Sequence, residues 1–120
     1  MDADYGHNED GDDKWSHGFG HSLFVYSTVM SVPDPARVVV DAGLKSMAFD
    51  SGMPVVADDP STEYGRPSDE HGNLQLSASS KRYTLGDKVR LIPGHCDPTV
   101  NLHDWYVGVR AQHVEALWPV

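Results

Sequence analysis

Cysteine, basic residues and long apolar runs are what this sequence has least of. A single cysteine, Cys96, in 120 residues excludes an intrachain disulfide and points to a reducing compartment. No apolar run approaches the ~18 residues of a membrane-spanning helix. The opening Met1-Asp2-Ala3-Asp4-Tyr5 is acidic and polar, so it carries no secretory signal, and no Asn-x-Ser/Thr sequon follows. These absences together predict a cytoplasmic protein. Nine Lys and Arg against eighteen Asp and Glu give a formal net charge of -9. The one adjacent basic pair is Lys81-Arg82, which argues against nucleic acid and anionic membrane as partners. Helical periodicity is also missing: no window of eleven residues repeats its apolar positions every 3.6.

What is present is a folded composition, 39% hydrophobic and 22% charged, in a length that suits one domain with one modest core. There is no room for both a TIM barrel of ~250 residues and a second domain. Residues 1–21 stand apart as an acidic arm. Positions 1–13 hold Asp2, Asp4, Glu9, Asp10, Asp12 and Asp13 with no Lys or Arg, and Gly6, Gly11, Gly18 and Gly20 break any period. Residues 22–120 form the domain proper. Leu23 to Val32 is β-branched and aromatic and stops at Pro33-Asp34-Pro35, a strand signal. Arg37 to Ala42, Pro54 to Ala57, Leu74 to Ser77 and Lys88 to Pro93 read as further strands, with Tyr64 to Gly72 as loop. Trp105 to Arg110 and His113 to Trp118 form a hairpin around Ala111-Gln112. Pro98 suits a first helical position and predicts one turn over Thr99 to Asp104. Seven or so short strands predict an all-β fold, a small antiparallel sandwich or barrel.

The stretch richest in chemistry is Pro93-Gly94-His95-Cys96-Asp97-Pro98-Thr99. In extended backbone His95 and Asp97 project to one face, roughly 7 Å apart, and Cys96 to the other. An imidazole and a carboxylate so placed could converge on one divalent ion and leave positions open for substrate, as a catalytic metal requires. That donor pair suits Zn²⁺, Mn²⁺ and their neighbours without selecting among them. The other reading is a turn, because Pro-Gly and Asp-Pro are turn dipeptides and Asp97 can simply accept a backbone bond. A calcium loop in the acidic arm fails: with Gly11 sixth, the first and twelfth positions are Gly6 and His17, where acids are required. His17, His21, His71, His103 and His113 are scattered and read as surface or hydrogen-bonded residues. Glu70 and His71 could support a site from a polar turn. Lys45 follows Gly43-Leu44 in an apolar neighbourhood and would form a Schiff base only if desolvated. Trp15, Trp105 and Trp118 read as core or interface anchors.

The run Gly94-His95-Cys96-Asp97-Pro98-Thr99-Val100-Asn101-Leu102 resembles the C-terminal domain of D-threonine aldolase and D-serine dehydratase-like enzymes. Asp104-Trp105, Val107-Gly108-Val109-Arg110 and Trp118-Pro119-Val120 carry the resemblance onward. Val40 to Lys45, Asp50-Ser51-Gly52 and Glu70-His71-Gly72 extend it upstream, and Met1 to Gly6 is similar to the segment where such a chain leaves its barrel. The resemblance implies a β domain that packs on an alanine-racemase-like barrel, which binds pyridoxal phosphate through a lysine. It implies a divalent metal, zinc or manganese, on His95 and Asp97, with no catalytic residue in this chain beyond those ligands. Aldolase-like members look like His-x-Asp at this spot and dehydratase-like members like His-x-Cys, so Asp97 leans towards the aldolase.

None of Lys14, Lys45, Lys81 or Lys88 matches the family's cofactor lysine, which is expected upstream of Met1. The chain is therefore expected to be a fragment, a separately encoded half or a gene start placed too late, inactive by itself as a lyase. In the whole enzyme the metal would act as a Lewis acid on the β-hydroxyl of a D-β-hydroxy amino acid. Retro-aldol cleavage would give glycine and an aldehyde. A dehydratase of the D-serine or D-3-hydroxyaspartate type is the alternative outcome at the same site, and a non-catalytic β module used for assembly is the alternative of another class. The missing barrel and a homo-oligomer are the expected partners.

Overall fold

The computed structural model describes residues 20–120. The acidic arm lies outside the described residues except for Gly20 and His21, as do Lys14, Trp15 and His17. Eight strands follow in order: β1 (Val25–Asp34), β2 (Arg37–Val40), β3 (Val55–Val56), β4 (Glu63–Tyr64), β5 (Gly72–Gln75), β6 (Lys88–Ile92), β7 (Trp105–Arg110) and β8 (His113–Pro119). A five-residue helix, α1 (Cys96–Val100), sits between β6 and β7. The first six strands close into a barrel in the order β1-β2-β5-β4-β3-β6, every pair antiparallel. β7 and β8 form a separate two-stranded sheet. The all-β expectation holds, as a barrel.

Alternation builds the core. Inward residues are cross-strand partners around the ring: Val29 faces Val40, Val38 faces Leu74, Leu74 faces Tyr64, Val56 faces Leu91, and Ser27 faces Val89. All of these are buried, and Ala42, Met47 and Tyr83, from outside the strands, join the same core cluster. Truncating such a residue, as in Leu74→Ala, costs about 2–5 kcal/mol in a well-packed core. Two details differ from the sequence reading. The loop predicted over residues 64–72 begins with β4, a two-residue strand too short to show a period. The helical turn predicted over 99–104 lies at 96–100, with Pro98 third in the helix rather than first. Pro is tolerated there because no N–H of the first turn has an intrahelical partner.

Two aspartates clamp the barrel's irregularities. Ser27 is a polar residue inside the ring; its hydroxyl donates to Asp41 Oδ1 at 2.7 Å, as does the Thr28 N–H at 2.7 Å, beside the register shift of β1. Asp59 is buried and accepts from the Thr62 hydroxyl (2.7 Å), the Lys81 N–H (3.0 Å), the Tyr83 hydroxyl (3.1 Å) and the Ser61 N–H (3.3 Å). Burial raises both carboxyls, but the donors outweigh it, and each lies below its ordinary value.

The hairpin contrasts with the barrel. Ala111 and Gln112 form its two-residue turn at φ 47° and 68°, the left-handed pair that a type I′ hairpin demands. The pairs Trp105–Pro119, Val107–Leu117 and Val109–Val114 lie on the ladder, and Trp105, Val107, Val109, Val114, Leu117 and Trp118 are all more than half exposed. Trp105 and Trp118 are thus not core residues of the described structure.

Removing the acceptor at position 59 strands buried donors, so Asp59→Ala is expected to lose about 3 kcal/mol in chemical denaturation. Both depressed aspartates bind protons more readily when unfolded. Their contribution is complete above the unfolded value of about 4 and fades as pH falls through the folded one. Acid titration of stability should therefore steepen below about pH 4, less so in Asp59→Asn. The free 120-residue chain, with its hairpin uncovered, is expected to self-associate and bind apolar dyes. Sedimentation as a dye-silent monomer at high concentration would refute this.

Candidate metal centre

β6 ends at Ile92, and Pro93 and Gly94, both buried, hand the chain on to His95. The β3–β6 register explains what His95 meets. Val56 pairs with Leu91 and Val55 with Ile92 in antiparallel fashion. Carried three residues further, the same register sets Gly52 opposite His95. The two strand extensions do lie against each other: a Cβ on Gly94 would come within 2.6 Å of the Gly52 carbonyl oxygen. Only glycine permits that approach.

His95 is half-buried and extended, with φ −143° and ψ 121°, and it stands as the N-cap of α1. Its Nδ1 lies 2.7 Å from Asp50 Oδ2, and the Ser51 hydroxyl oxygen is 3.5 Å from the same nitrogen. The hydrogen bond with His95 holds the Asp50 carboxyl below its ordinary value. Thr99, fully buried, ties the parts together. Its hydroxyl donates to the His95 carbonyl at 2.7 Å and accepts the Ala48 N–H at 3.1 Å. Further along, the His103 Nε2–H donates to the Ser46 carbonyl at 2.9 Å. The loop 43–51 and the segment 94–103 are in this way laced along their length.

Asp97 is exposed in the first turn of α1, and Cys96, half-buried, opens that helix. Only His95 is extended, and Asp97 follows it on a helical turn, so strand alternation does not set the two on one face as the sequence pattern predicts. Among the described residues no three His, Cys, Asp or Glu side chains are grouped closely enough to cage a metal. An imidazole followed by an exposed carboxylate fits an open two-donor site for a borderline-to-hard divalent ion, completed by other ligands.

The other candidates resolve differently. Lys45 is exposed and paired with Glu70, which raises the ammonium and lowers the carboxyl; it is not a desolvated Schiff-base lysine. Glu70 is committed to that pair. His71 is exposed beside a shallow groove of about 610 Å³ shared with Leu44, Arg66 and Pro67. This groove adjoins the other end of loop 43–51, since the Leu44 and Lys45 N–H groups donate to the Ser68 and Asp69 carbonyls at 2.9 and 3.0 Å. His113 sits exposed in the hairpin. Asp50 and Thr99 were not singled out for roles by sequence. Only the barrel register brings Asp50 across 45 positions to His95.

Comparison with known proteins gives a consistent result. Residues 22–109 match the family described as "Putative serine dehydratase domain". The 3-hydroxy-D-aspartate aldolase of Paracoccus denitrificans is 46% identical over 126 aligned residues, which span all of this chain and 31% of that protein. The D-threonine aldolase of an Arthrobacter species is 46% identical over 122, again across all of this chain and 31% of its own length. The crystal structure of D-threonine aldolase from Filomicrobium marinum superposes with a TM-score of 0.88 at 45% identity, over 99% of this chain and 31% of that one. D-threo-3-hydroxyaspartate dehydratase from Delftia sp. HT23, at 21% identity and a TM-score of 0.64 over 80% of this chain and 31% of that one, shares the fold. The chain thus spans about a third of the length of these relatives.

The contact between Gly94 and the Gly52 carbonyl generates a test of the site's assembly. Main chain cannot swing aside as a side chain can, so Gly94→Ala is expected to destabilise by about 1–3 kcal/mol through overpacking. It should also separate Asp50 from His95, read as a changed His95 ring signal in NMR.

Proposed function

This chain belongs to the serine dehydratase domain family, and from that membership we propose that it is the metal-binding β domain of a pyridoxal-phosphate-dependent lyase for D-β-hydroxy amino acids, with retro-aldol cleavage as the reaction. The carrying observation is the end-to-end identity of 45–46% with three aldolases, against 21% with the dehydratase. Asp97, where a thiolate would stand in the dehydratase pattern, agrees with this choice. The division into an arm over residues 1–21 and a metal-bearing domain over 22–120 is part of the proposal.

His95 and Asp97 would hold the ion, zinc or manganese, by one nitrogen and one carboxylate oxygen. When bound, the ion would supply Lewis acidity toward the substrate's β-hydroxyl, and pyridoxal phosphate, held outside this chain in this reading, would supply the electron sink. The chain's own residues orient and exclude. The buried Pro93-Gly94 backs His95 with packed main chain, and Thr99 fixes the start of α1 so that Asp97 is presented on the exposed turn. The Cys96 thiol is no ligand in this reading. A homo-oligomer in the reducing cytoplasm accords with the single cysteine and the uncovered hairpin.

In the full-length protein, His95→Ala and Asp97→Ala are expected to lose bound metal and to drop kcat/KM for D-threonine about 1000-fold, the several kcal/mol a Lewis acid contributes. Cys96→Ala should keep both. Elemental analysis beside glycine and aldehyde release measures this. Loss of metal in Cys96→Ala with retention in Asp97→Ala would overturn the assignment and favour dehydration. The 120-residue chain by itself should cleave nothing.

A further inference from the structure

We propose that Asp50 is a positioning residue of this metal site: it holds the His95 ring through Nδ1, so that the ring meets the ion through Nε2. The inference rests on the reading of His95 as a ligand, and concerns a residue 45 positions away from it. Three contacts fix the His95 main chain. Its carbonyl takes the Thr99 hydroxyl at 2.7 Å, that hydroxyl takes the Ala48 N–H at 3.1 Å, and Gly94 is seated against the Gly52 carbonyl. The imidazole itself turns about two side-chain bonds. Asp50 Oδ2, 2.7 Å from Nδ1, restrains that rotation, and the Ser51 hydroxyl flanks the same nitrogen at 3.5 Å.

The chemistry follows from the needs of a ligating imidazole. One nitrogen must offer its lone pair to the metal, so the other carries the ring's proton. A carboxylate accepting the Nδ1 proton selects that tautomer, aims Nε2 and strengthens it as a donor. As a bare surface ion pair the same contact would be worth little. With two proposed donors among the described residues, pre-setting one of them matters more than in a closed four-ligand site. Asp50 reaches the ring because the 50–52 turn lies across from it: the β3–β6 register, extended past Val55 and Ile92, leads there, and Gly94 sits against the Gly52 carbonyl.

The test is Zn²⁺ affinity of the full-length protein, by competition with a chromophoric chelator, for wild type, Asp50→Ala, Asp50→Asn and His95→Ala. Asp50→Ala is expected to weaken Zn²⁺ by about 10–100-fold, the usual cost of losing a carboxylate behind a ligating histidine. Asp50→Asn should recover part of that loss, because its amide oxygen still accepts the Nδ1 proton without the charge. Imidazole ¹⁵N shifts should show Nδ1 protonated and Nε2 metal-bound in wild type, with that tautomer preference lost in Asp50→Ala. A merely structural role would leave the shifts unmoved. Wild-type affinity in Asp50→Ala beside loss in His95→Ala sinks the positioning role and leaves the ligand reading standing. Wild-type affinity in His95→Ala sinks the ligand reading itself. Should Asp50→Ala not fold, Asp50→Leu, which is close in size and cannot accept the Nδ1 proton, takes its place, and unchanged affinity with unchanged ring shifts in it overturns the proposal equally.

Discussion

Barrel closure at β6 is the constraint on which the rest of this structure depends. Leu91, fully buried, faces Val25 of β1 on one side and Val56 of β3 on the other, so a single residue seals the ring. Side chains alternate with a period of two, and a slip of one residue would turn Val89 and Leu91 outward and Lys88 and Arg90 inward. The outward positions reinforce the choice: Lys88 donates to the Thr28 hydroxyl oxygen at 2.7 Å, and Arg90 Nε to Asp58 Oδ2 at 2.9 Å. Since β6 runs directly into Gly94 and His95, the register that satisfies the core also determines where the imidazole emerges and which turn it faces. Packing and chemistry are set by one hydrogen-bonded ladder.

That coupling explains which parts of the structure could be read from residues alone. β1, β2, β6, β7 and β8 are legible because β-branched residues alternate within them and Pro, Gly or Asp punctuate their ends. β4 is illegible because Glu63-Tyr64 is too short for a period, and its flanking turn chemistry dominates. β5 is legible only in part: Leu74 announces it, but pairing of Val40 with Gly72 starts it two residues earlier than the apolar pattern does. Pro98 correctly signals a helix and misplaces it, since proline fits any of the first helical positions. At the site, His95 and Asp97 stand out by spacing and by family resemblance. Asp50 and Thr99 act through contacts across about fifty residues, which no local pattern encodes.

The domain also divides its polar burden unevenly. Ser27, Thr62 and Thr99 are buried polar residues, and each is answered by a partner from a distant or irregular segment, Asp41, Asp59 and the His95 carbonyl respectively. Among the described residues no buried side-chain polar atom lacks a hydrogen bond. The barrel's strands are short, and the two-residue β3 and β4 contribute little pairing by themselves. Aspartate-centred clusters thus do the work that longer ladders do elsewhere, which is why carboxylate chemistry bears on the stability of this acidic chain as well as on its site.

The turn at Ala111-Gln112 has a different implication. Left-handed backbone costs an ordinary residue roughly 1–2 kcal/mol, and here two in succession adopt it without glycine or asparagine. A lone two-stranded hairpin is already marginal in water. Among the described residues, β7 and β8 are therefore expected to open more readily than the barrel strands. Amide exchange along Trp105–Arg110 and His113–Pro119 accordingly gauges occupancy of the hairpin's apolar faces, independently of whether the barrel is folded.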